Sequence, residues 1–385
     1  MTTAFPRYHY LDQIRAHMMF LGVVFHSLAA YLKPNPDLPW AFSDPVSHPG
    51  LFVLLVMIHL FRMPVFFIVA GFFCALVLQR WGARHLLEDR MKRIALPFLA
   101  LVIPVHLICH AITDYGAQMV GVPAERERVF DHFTVSYLWF LYFLSIYYAL
   151  VLVGVCVLPA SARSALVHFF RARSLLQLSV LYGVVVALAI WLLNAVFIPA
   201  PLKWSVDLRV LLYYGGFFFL GMALYGHPSL ASCPPGRLPV LWTVMLLAVG
   251  ICCALLPVRE WFEGTADRLL ETFWGLVFAV AAVASSLLVI SFYQRYLFRE
   301  SAVGRYIADS AYWVYLAHFP LAMLLPIWLY HWPVPPTLKF VMVVAAVTAL
   351  CLISYHFCVR HTWLGGWLNG RKRPRPARQQ LALSR

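Results

Sequence analysis

The sequence predicts an all-α polytopic membrane protein, with about ten transmembrane helices and both termini in the cytoplasm. Of the 385 residues, 62% are hydrophobic and only 12% are charged, whereas soluble chains carry about 25% charged residues. Apolar stretches of the length that crosses a bilayer, about 20 residues, recur along the whole chain. Stretches of this length indicate helices, because a helix satisfies all its backbone hydrogen bonds internally in lipid.

The predicted spans are the apolar stretches between successive polar or proline-containing segments. They cover residues 11–32, 50–78, 94–112, 134–158, 175–197, 208–225, 238–257, 269–291, 306–330 and 337–359. The second span is too long for one straight crossing and carries Arg62 and Pro64 in its middle. Because proline removes a helix hydrogen bond and clashes with the preceding turn, we expect a kink or a break at this point.

The distribution of cations predicts the orientation. Of the 30 Lys and Arg residues, 20 fall in segments on one side of the spans and 8 on the other, while Arg15 and Arg62 lie within spans. The positive-inside rule then places both termini in the cytoplasm. The net charge of +14 reflects this bias and indicates no nucleic-acid partner. Residues 1–359 are predicted to form a single transmembrane domain, and residues 360–385 a basic, disordered cytoplasmic tail.

Metal and redox chemistry find little support in the sequence. The eight cysteines lie mostly within apolar stretches and show no C-x-x-C spacing, as expected of small core residues. His106 and His110 stand at i and i+4, a spacing that can bind a metal, but no HExxH motif or acidic third ligand accompanies them. The sequence therefore predicts no metal and no bound organic cofactor.

The first apolar stretch carries the most informative polar pair, Arg15 and His26. Eleven positions at about 100° each return to nearly the same helix face, about 16 Å further along the axis. If Arg15 lies near one membrane surface, His26 lies close to the bilayer centre, where an ionisable residue indicates a functional site. Asp12 precedes Arg15 by three residues, so a local ion pair is possible. A snorkelling arginine and one satisfied histidine are the structural alternative.

Two further apolar stretches carry ionisable residues at depth. Arg62 lies about twelve residues into the second span, too deep to snorkel, so it needs a partner or a water-filled cavity. His59 is one turn away, and Gly71 would let a neighbouring helix or a ligand approach closely. In the ninth span, Tyr315 and His318 stand one turn apart. The structural alternatives are an interhelical ion pair for Arg62 and a packing role for His318.

A cytoplasmic stretch, residues 80–97, is strongly basic. Arg90 and Arg93 share a helix face at i and i+3. Because arginine binds phosphate oxygens in bidentate fashion, this pair could hold the phosphates of a nucleotide-like donor. Cytoplasmic loops of membrane proteins are basic in any case, and this alternative stays open.

Five ordered motifs resemble the acyltransferase-3 family of integral membrane acyltransferases. They are the Arg-x10-His first helix, FFIVAGF after an intramembrane arginine, RMKRIALP before the third span, LWFL in the fourth, and YLAHFPL near the end. Within the family, the wording of YLDQIRAHMMFLGVVFHSLAAY and FRMPVFFIVAGFF is most similar to the branch that succinylates osmoregulated periplasmic glucans. Residues 1–359 would then form a single transmembrane acyltransferase domain.

The resemblance implies an O-acyltransferase, multi-pass in the bacterial inner membrane, that moves an acyl group from cytoplasmic acyl-CoA to sugar hydroxyls of a periplasmic glucan. Succinyl-CoA would be the cosubstrate. Its implied catalytic residues are His26 as base or transient acyl carrier, Arg15 on the donor side, and Arg62 at the developing oxyanion or an acyl carboxylate. Its implied substrate-binding residues are Asp12, His59, Tyr315, His318, Arg90 and Arg93.

Three departures from the family pattern concern the acceptor contacts and the acyl group. The family often has Ser-Gly where this chain has Ala70-Gly71, a His at the position of Tyr137, and His-His where this chain has His318-Phe319. O-acetylation of another envelope polysaccharide is therefore the nearest alternative. A glycan or acyl-anion transporter is a further one, although the chain lacks the repeat symmetry common in transporters.

Overall fold

The long apolar runs of the sequence fold into helices. The computed structural model describes residues 8–32, 43–121, 133–174, 177–178, 180–185, 188, 200–225, 236–255, 265–297 and 301–369. We number the helices α1 (His9–Leu28), α2 (Pro49–Arg90), α3 (Leu96–Val120), α4 (Trp139–Val157), α5 (Ala160–Arg171), α6 (Leu208–Leu224), α7 (Arg237–Leu255), α8 (Thr265–Tyr296), α9 (Ala302–Trp328), α10 (Pro336–Ser354) and α11 (Trp363–Asn369). Within these ranges all regular secondary structure is helical, which confirms the predicted all-α class.

Six stretches of the described chain are long and apolar enough to cross a membrane. They are His9–Tyr31, Pro49–Val120, Ser136–Val157, Thr272–Tyr296, Ala302–Trp328 and Pro336–Val359. Pro49–Val120 contains two predicted spans, 50–78 and 94–112, and the shorter apolar helices α6 and α7 match two more. The predicted span 175–197 lies largely outside the described residues. The multi-pass architecture is thus confirmed, while the total of ten spans and the cytoplasmic termini stay predictions.

Helix α2 corrects one prediction about the second span. No break occurs at Pro64, because the helix continues through this proline. A kink at Pro64 stays a prediction. The backbone leaves helical geometry at Gly82, where φ is 81°. A glycine tolerates this left-handed conformation, which strains other residues. A π-helical turn, Met91–Ala95, then joins α2 to α3. The predicted basic loop is therefore helical along most of its length.

The chain divides into two compact units, which we describe separately. The first unit comprises Met1–Ile14, His59–Ala95 and Tyr137–Arg299. In it, α2 and α6 approach so closely that a Cβ at Gly71 would overlap the Phe218 carbonyl, and one at Gly221 the Ile68 carbonyl. This confirms the prediction that Gly71 admits a close neighbour. Aromatic rings of Phe67, Trp139, Phe140, Tyr147, Tyr214 and Phe218 pack around this contact.

The second unit comprises Arg15–Ile58, Leu96–Ser136 and Glu300–Arg385. Helix α9 packs against α10 and α3, around a core that includes Val23, Leu28, Tyr31, Val314, Ala322, Val343 and Val347. Trp363–Asn369 form a short helix inside the predicted tail 360–385. The rest of that tail lies outside the described residues.

A buried ion pair joins two distant segments of the second unit. Lys339 Nζ donates to Asp44 Oδ2 at 2.7 Å and to the Tyr330 carbonyl at 3.1 Å, and the two charged side chains are only 4% and 1% exposed. Asp44 also accepts the Val46 N–H at 3.0 Å and donates its own N–H to the Ala30 carbonyl. Asp44 lies between the first and second predicted spans and Lys339 at the start of the tenth, so the alternation of ten spans puts both on the same side of the membrane, and the contact is consistent with that prediction.

Candidate functional site

The hydrogen bonds of His318 on α9 define which of its ring nitrogens carries the proton. Its ring is 2% exposed, and Nδ1 lies 2.9 Å from the Val314 carbonyl oxygen and 2.8 Å from that of Tyr315. A carbonyl can only accept a hydrogen bond, so Nδ1 carries the proton. In the neutral ring the lone pair is then on Nε2, which is the nitrogen able to accept a proton during a reaction.

His26 on α1 lies against this ring. The ring centroids of His26 and His318, which we call the histidine pair, are 5.3 Å apart with the planes tilted by 47°. The Phe319 ring meets His26 edge-on at 4.8 Å. His26 is half-buried. The structure thus brings together two residues that the sequence singled out 292 positions apart.

Arg15 and two tyrosines extend this site along α9. Arg15 is exposed, and its positive charge is close enough to the hydroxyl of Tyr312 to interact with it electrostatically. The Tyr312 ring stacks parallel to that of Tyr315 at 6.3 Å, and Tyr315 lies 6.3 Å from His318. Arg15, His26, Tyr315 and His318 all belong to the second unit, together with Tyr312, which the sequence analysis did not select.

Arg62 and His59 lie on α2 in the first unit, both half-buried. Arg62 Nη2 approaches the Met63 sulfur at 3.4 Å, and its charge acts on the buried hydroxyl of Tyr214 on α6. The field of a half-buried cation is screened less than that of a fully exposed one, because less water surrounds it. Asp12 also belongs to the first unit, on the first part of α1.

Arg90 and Arg93, the arginine pair, share one carboxylate. Arg93 Nε lies 3.0 Å from Asp89 Oδ1, and Arg90 Nη1 lies 3.6 Å from Asp89 Oδ2. The Arg90 guanidinium also sits over the Tyr148 ring, 4.8 Å from its centroid. Arg93 is 47% exposed and Arg90 only 18%. An anionic ligand could therefore reach Arg93 first and exchange with Asp89.

His106 and His110 have the spacing that can bind a metal, but His110 contacts a carboxylate of its own helix. His110 Nδ1 lies 3.1 Å from Asp114 Oδ2, one turn along α3, and the His106 and His110 ring centroids are 6.4 Å apart. Within the described ranges, no group of three or more His, Cys, Asp or Glu side chains is placed to hold a metal ion.

Several residues with important contacts were not selected from the sequence. Asp89 and Tyr148 hold the arginine pair, and Phe319 contacts His26. Phe319 could have been selected, because it occupies the position where the family pattern has a second histidine. Asp44 and Lys339 could not, because each is an ordinary loop or helix-end charge until the fold brings them together.

The chemistry available at the histidine pair is proton transfer and nucleophilic attack. A base that is already in the correct tautomer needs no reorganisation before it accepts a proton. A second imidazole beside it can attack a carbonyl as a nucleophile, while the first imidazole accepts or donates the proton. These are the elements of acyl transfer.

Comparison with known proteins agrees with this chemistry. The Acyltransferase domain family, acyltransferase-3, matches residues 8–356. The chain is 27% identical over 331 residues to glucans biosynthesis protein C of Salmonella typhi, covering 83% of each chain. It is 25% identical over 368 residues to the protein of the same name from Salmonella schwarzengrund, covering 92% of each chain. No solved structure matches the chain. With nearly its whole length matched, the chain belongs to the acyltransferase-3 family and is a membrane O-acyltransferase.

Proposed function

We propose that this enzyme transfers a succinyl group from cytoplasmic succinyl-CoA to hydroxyls of a periplasmic glucan, in the bacterial inner membrane. The observation that carries the proposal is the histidine pair, with His318 Nδ1 bonded to two backbone carbonyls and His26 against its ring. The name of the relatives, glucans biosynthesis protein C, supports a glucan acceptor. Acyl-CoA is too large and charged to cross the bilayer, so passing on the acyl group alone explains why the chemistry belongs inside a membrane protein.

In the proposed reaction, an imidazole nitrogen of His26 attacks the thioester carbonyl, and the C–S bond breaks to release CoA. The glucan hydroxyl then attacks the acyl-imidazole carbonyl, the C–N bond breaks to return neutral His26, and the hydroxyl proton passes to His318 Nε2. His318 then releases this proton to water, which balances the thiolate on which CoA left. Direct transfer, with His26 as base and no acyl-enzyme, uses the same two residues. General-base assistance of this kind accelerates a reaction by about 10²–10⁴-fold.

The cations have separate roles in the proposal. Arg62 would stabilise the oxyanion that forms at the carbonyl or hold the distal succinyl carboxylate, because a cation screened from water is an effective partner for developing negative charge. Arg90 and Arg93 would bind the CoA phosphates after exchange with Asp89, and Arg15 would orient the donor. Asp12, His59 and Tyr315 would complete the substrate contacts.

The test is mass spectrometry of periplasmic glucans from cells with and without the gene. We expect deletion to remove the succinyl mass, the wild type to restore it, and His26→Ala to leave it absent at equal protein abundance. His331→Ala, a histidine that is exposed in the structure, is the matched control and should restore the mass fully.

Two outcomes would change the proposal. Glucans that keep their succinyl groups after deletion would discard the glucan acceptor, and the acetyl content of surface polysaccharides would be measured next. Full activity of His26→Ala would remove the histidine-pair mechanism. Mass analysis of the purified protein after incubation with succinyl-CoA alone separates the two routes, since only the acyl-carrier route adds one succinyl group to the wild type and none to His26→Ala.

A further inference from the structure

Helix α5 is too short to cross a bilayer and none of its residues is buried. Its 12 residues, Ala160–Arg171, extend about 18 Å, against about 30 Å for the hydrocarbon core. It follows the membrane helix α4 directly, and Pro159 in extended conformation separates the two. It packs against α6, yet Leu166 is 51% exposed and Phe169 is 38% exposed.

The residues of α5 divide into two faces. At about 100° per residue, five apolar side chains occupy one arc of about 140°, formed by Ala162, Ala165, Leu166, Phe169 and Phe170, while Ala160 and Val167 lie outside it, next to the polar arc. The polar side chains occupy an opposite arc of about 80°, formed by Ser161, Ser164, His168 and Arg171. This is the pattern of a helix that lies flat in a membrane interface with its apolar face in the acyl region.

The charge on and beside α5 is of one sign. Arg163 lies at the border of the apolar arc, Arg171 in the polar arc, and Arg173 just beyond the helix, with its guanidinium 4.1 Å from the Phe169 ring centroid. No Asp or Glu occurs in the sequence between Asp131 and Asp207. Arginine at an apolar border can extend to the headgroup level while its stem stays in the apolar region.

We propose that α5 is an interfacial helix that binds anionic phospholipid headgroups of the cytoplasmic leaflet through Arg163, Arg171 and Arg173. Lipid is the occupant that fits, because a bilayer supplies both an acyl region for the apolar arc and phosphates for the arginines. The preceding α4 also fixes α5 at the level of the membrane surface. The proposal makes no use of the acyl-transfer site and does not depend on the proposed function.

The test uses the full-length protein in two kinds of nanodisc, one of phosphatidylcholine and one an equal mixture with phosphatidylglycerol. A small fluorescent amino acid replaces Phe169 in the apolar arc or, as the matched control, His168 in the polar arc. In the mixed lipid we expect doxyl-labelled lipid to quench the probe at 169 and aqueous iodide to quench the probe at 168. Equal iodide quenching at both positions, or no quenching by either agent, would overturn the interfacial placement.

A charge-removal series tests the headgroup contact. In the mixed lipid, Arg163→Gln/Arg171→Gln should lower doxyl quenching at 169, because each arginine favours the anionic surface by about fivefold. Arg84→Gln/Lys92→Gln removes the same charge from exposed positions outside α5 and should change nothing. Identical quenching in the two lipids, or identical effects of the two double variants, would overturn the binding of anionic headgroups.

Discussion

The histidine pair of the second unit and the arginine pair of the first unit are held by different kinds of partner. His318 is held by two carbonyls of its own helix, which are part of the backbone and stay in place when a ligand binds. Arg90 and Arg93 are held by a carboxylate and an aromatic face, which an incoming anion can replace. The group proposed for bond making is thus positioned by the backbone, whereas the groups proposed for donor binding have partners that can exchange.

Among the variants that test this comparison, His318→Asn should have the largest effect. The asparagine amide can still donate to the helix carbonyls, but the basic nitrogen is lost, so we expect the protein to fold and the transfer rate to fall by about 10²–10⁴-fold. The measurements are the initial rate of acyl transfer in nanodiscs and the thermal unfolding temperature. His318→Ala should lose both activity and stability, and a fully active His318→Asn enzyme would refute the role of Nε2.

The buried ion pair should give the next largest effect, on stability. Asp44→Asn leaves Lys339 buried without its counter-charge, and breaking such a pair typically costs about 3–5 kcal/mol. The double variant Asp44→Leu/Lys339→Met removes both charges and should recover most of that loss. Denaturant unfolding of the wild type and the two variants measures the change in stability. A double variant no more stable than Asp44→Asn would contradict the explanation.

The close approach of α2 and α6 should be less costly to disturb. In Gly71→Ala or Gly221→Ala the new methyl group meets a backbone carbonyl of the neighbouring helix, and such overpacking costs about 1–3 kcal/mol. Gly154→Ala in α4 is the matched control, because nothing lies within 4 Å of a Cβ there. Thermal unfolding should rank the control as the most stable of the three, and equal stability would argue against a tight contact.

The smallest effect is expected for Arg93→Gln. Because Arg93 is 47% exposed, losing its contact with the donor should raise the KM for acyl-CoA by only about 2–10-fold, with kcat unchanged. Arg84, whose side chain is 93% exposed and pairs only with Glu88 in the described contacts, is the control. A fall in kcat for Arg93→Gln, without a change in KM, would place this residue in the chemistry instead.

Much of this organisation could be predicted because it depends on local pattern. Repeated apolar stretches gave the all-helical membrane class, and an eleven-residue interval placed Arg15 and His26 on one face of α1. Gly71 was expected to admit a close neighbour because glycine has no side chain. The family followed from five ordered motifs, and a match over residues 8–356 confirms it.

The remaining features depend on tertiary context that a local pattern does not contain. The backbone leaves helical geometry at Gly82 and not at Pro64, since a proline in a helix is tolerated where packing supports it. The tautomer of His318 depends on its rotamer, which places Nδ1 on two carbonyls. The contact of Asp89 with both arginines depends on side-chain rotamers, which the sequence does not give.

The ion pair between Asp44 and Lys339 also has a consequence for synthesis of the chain. The two residues are 295 positions apart, so at about 5–20 residues per second the ribosome adds Lys339 about 15–60 s after Asp44. During that interval Asp44 has emerged but its counter-charge does not yet exist. The second unit therefore cannot form this ion pair until translation is nearly finished, and a chain truncated before residue 339 would lack the counter-charge of Asp44.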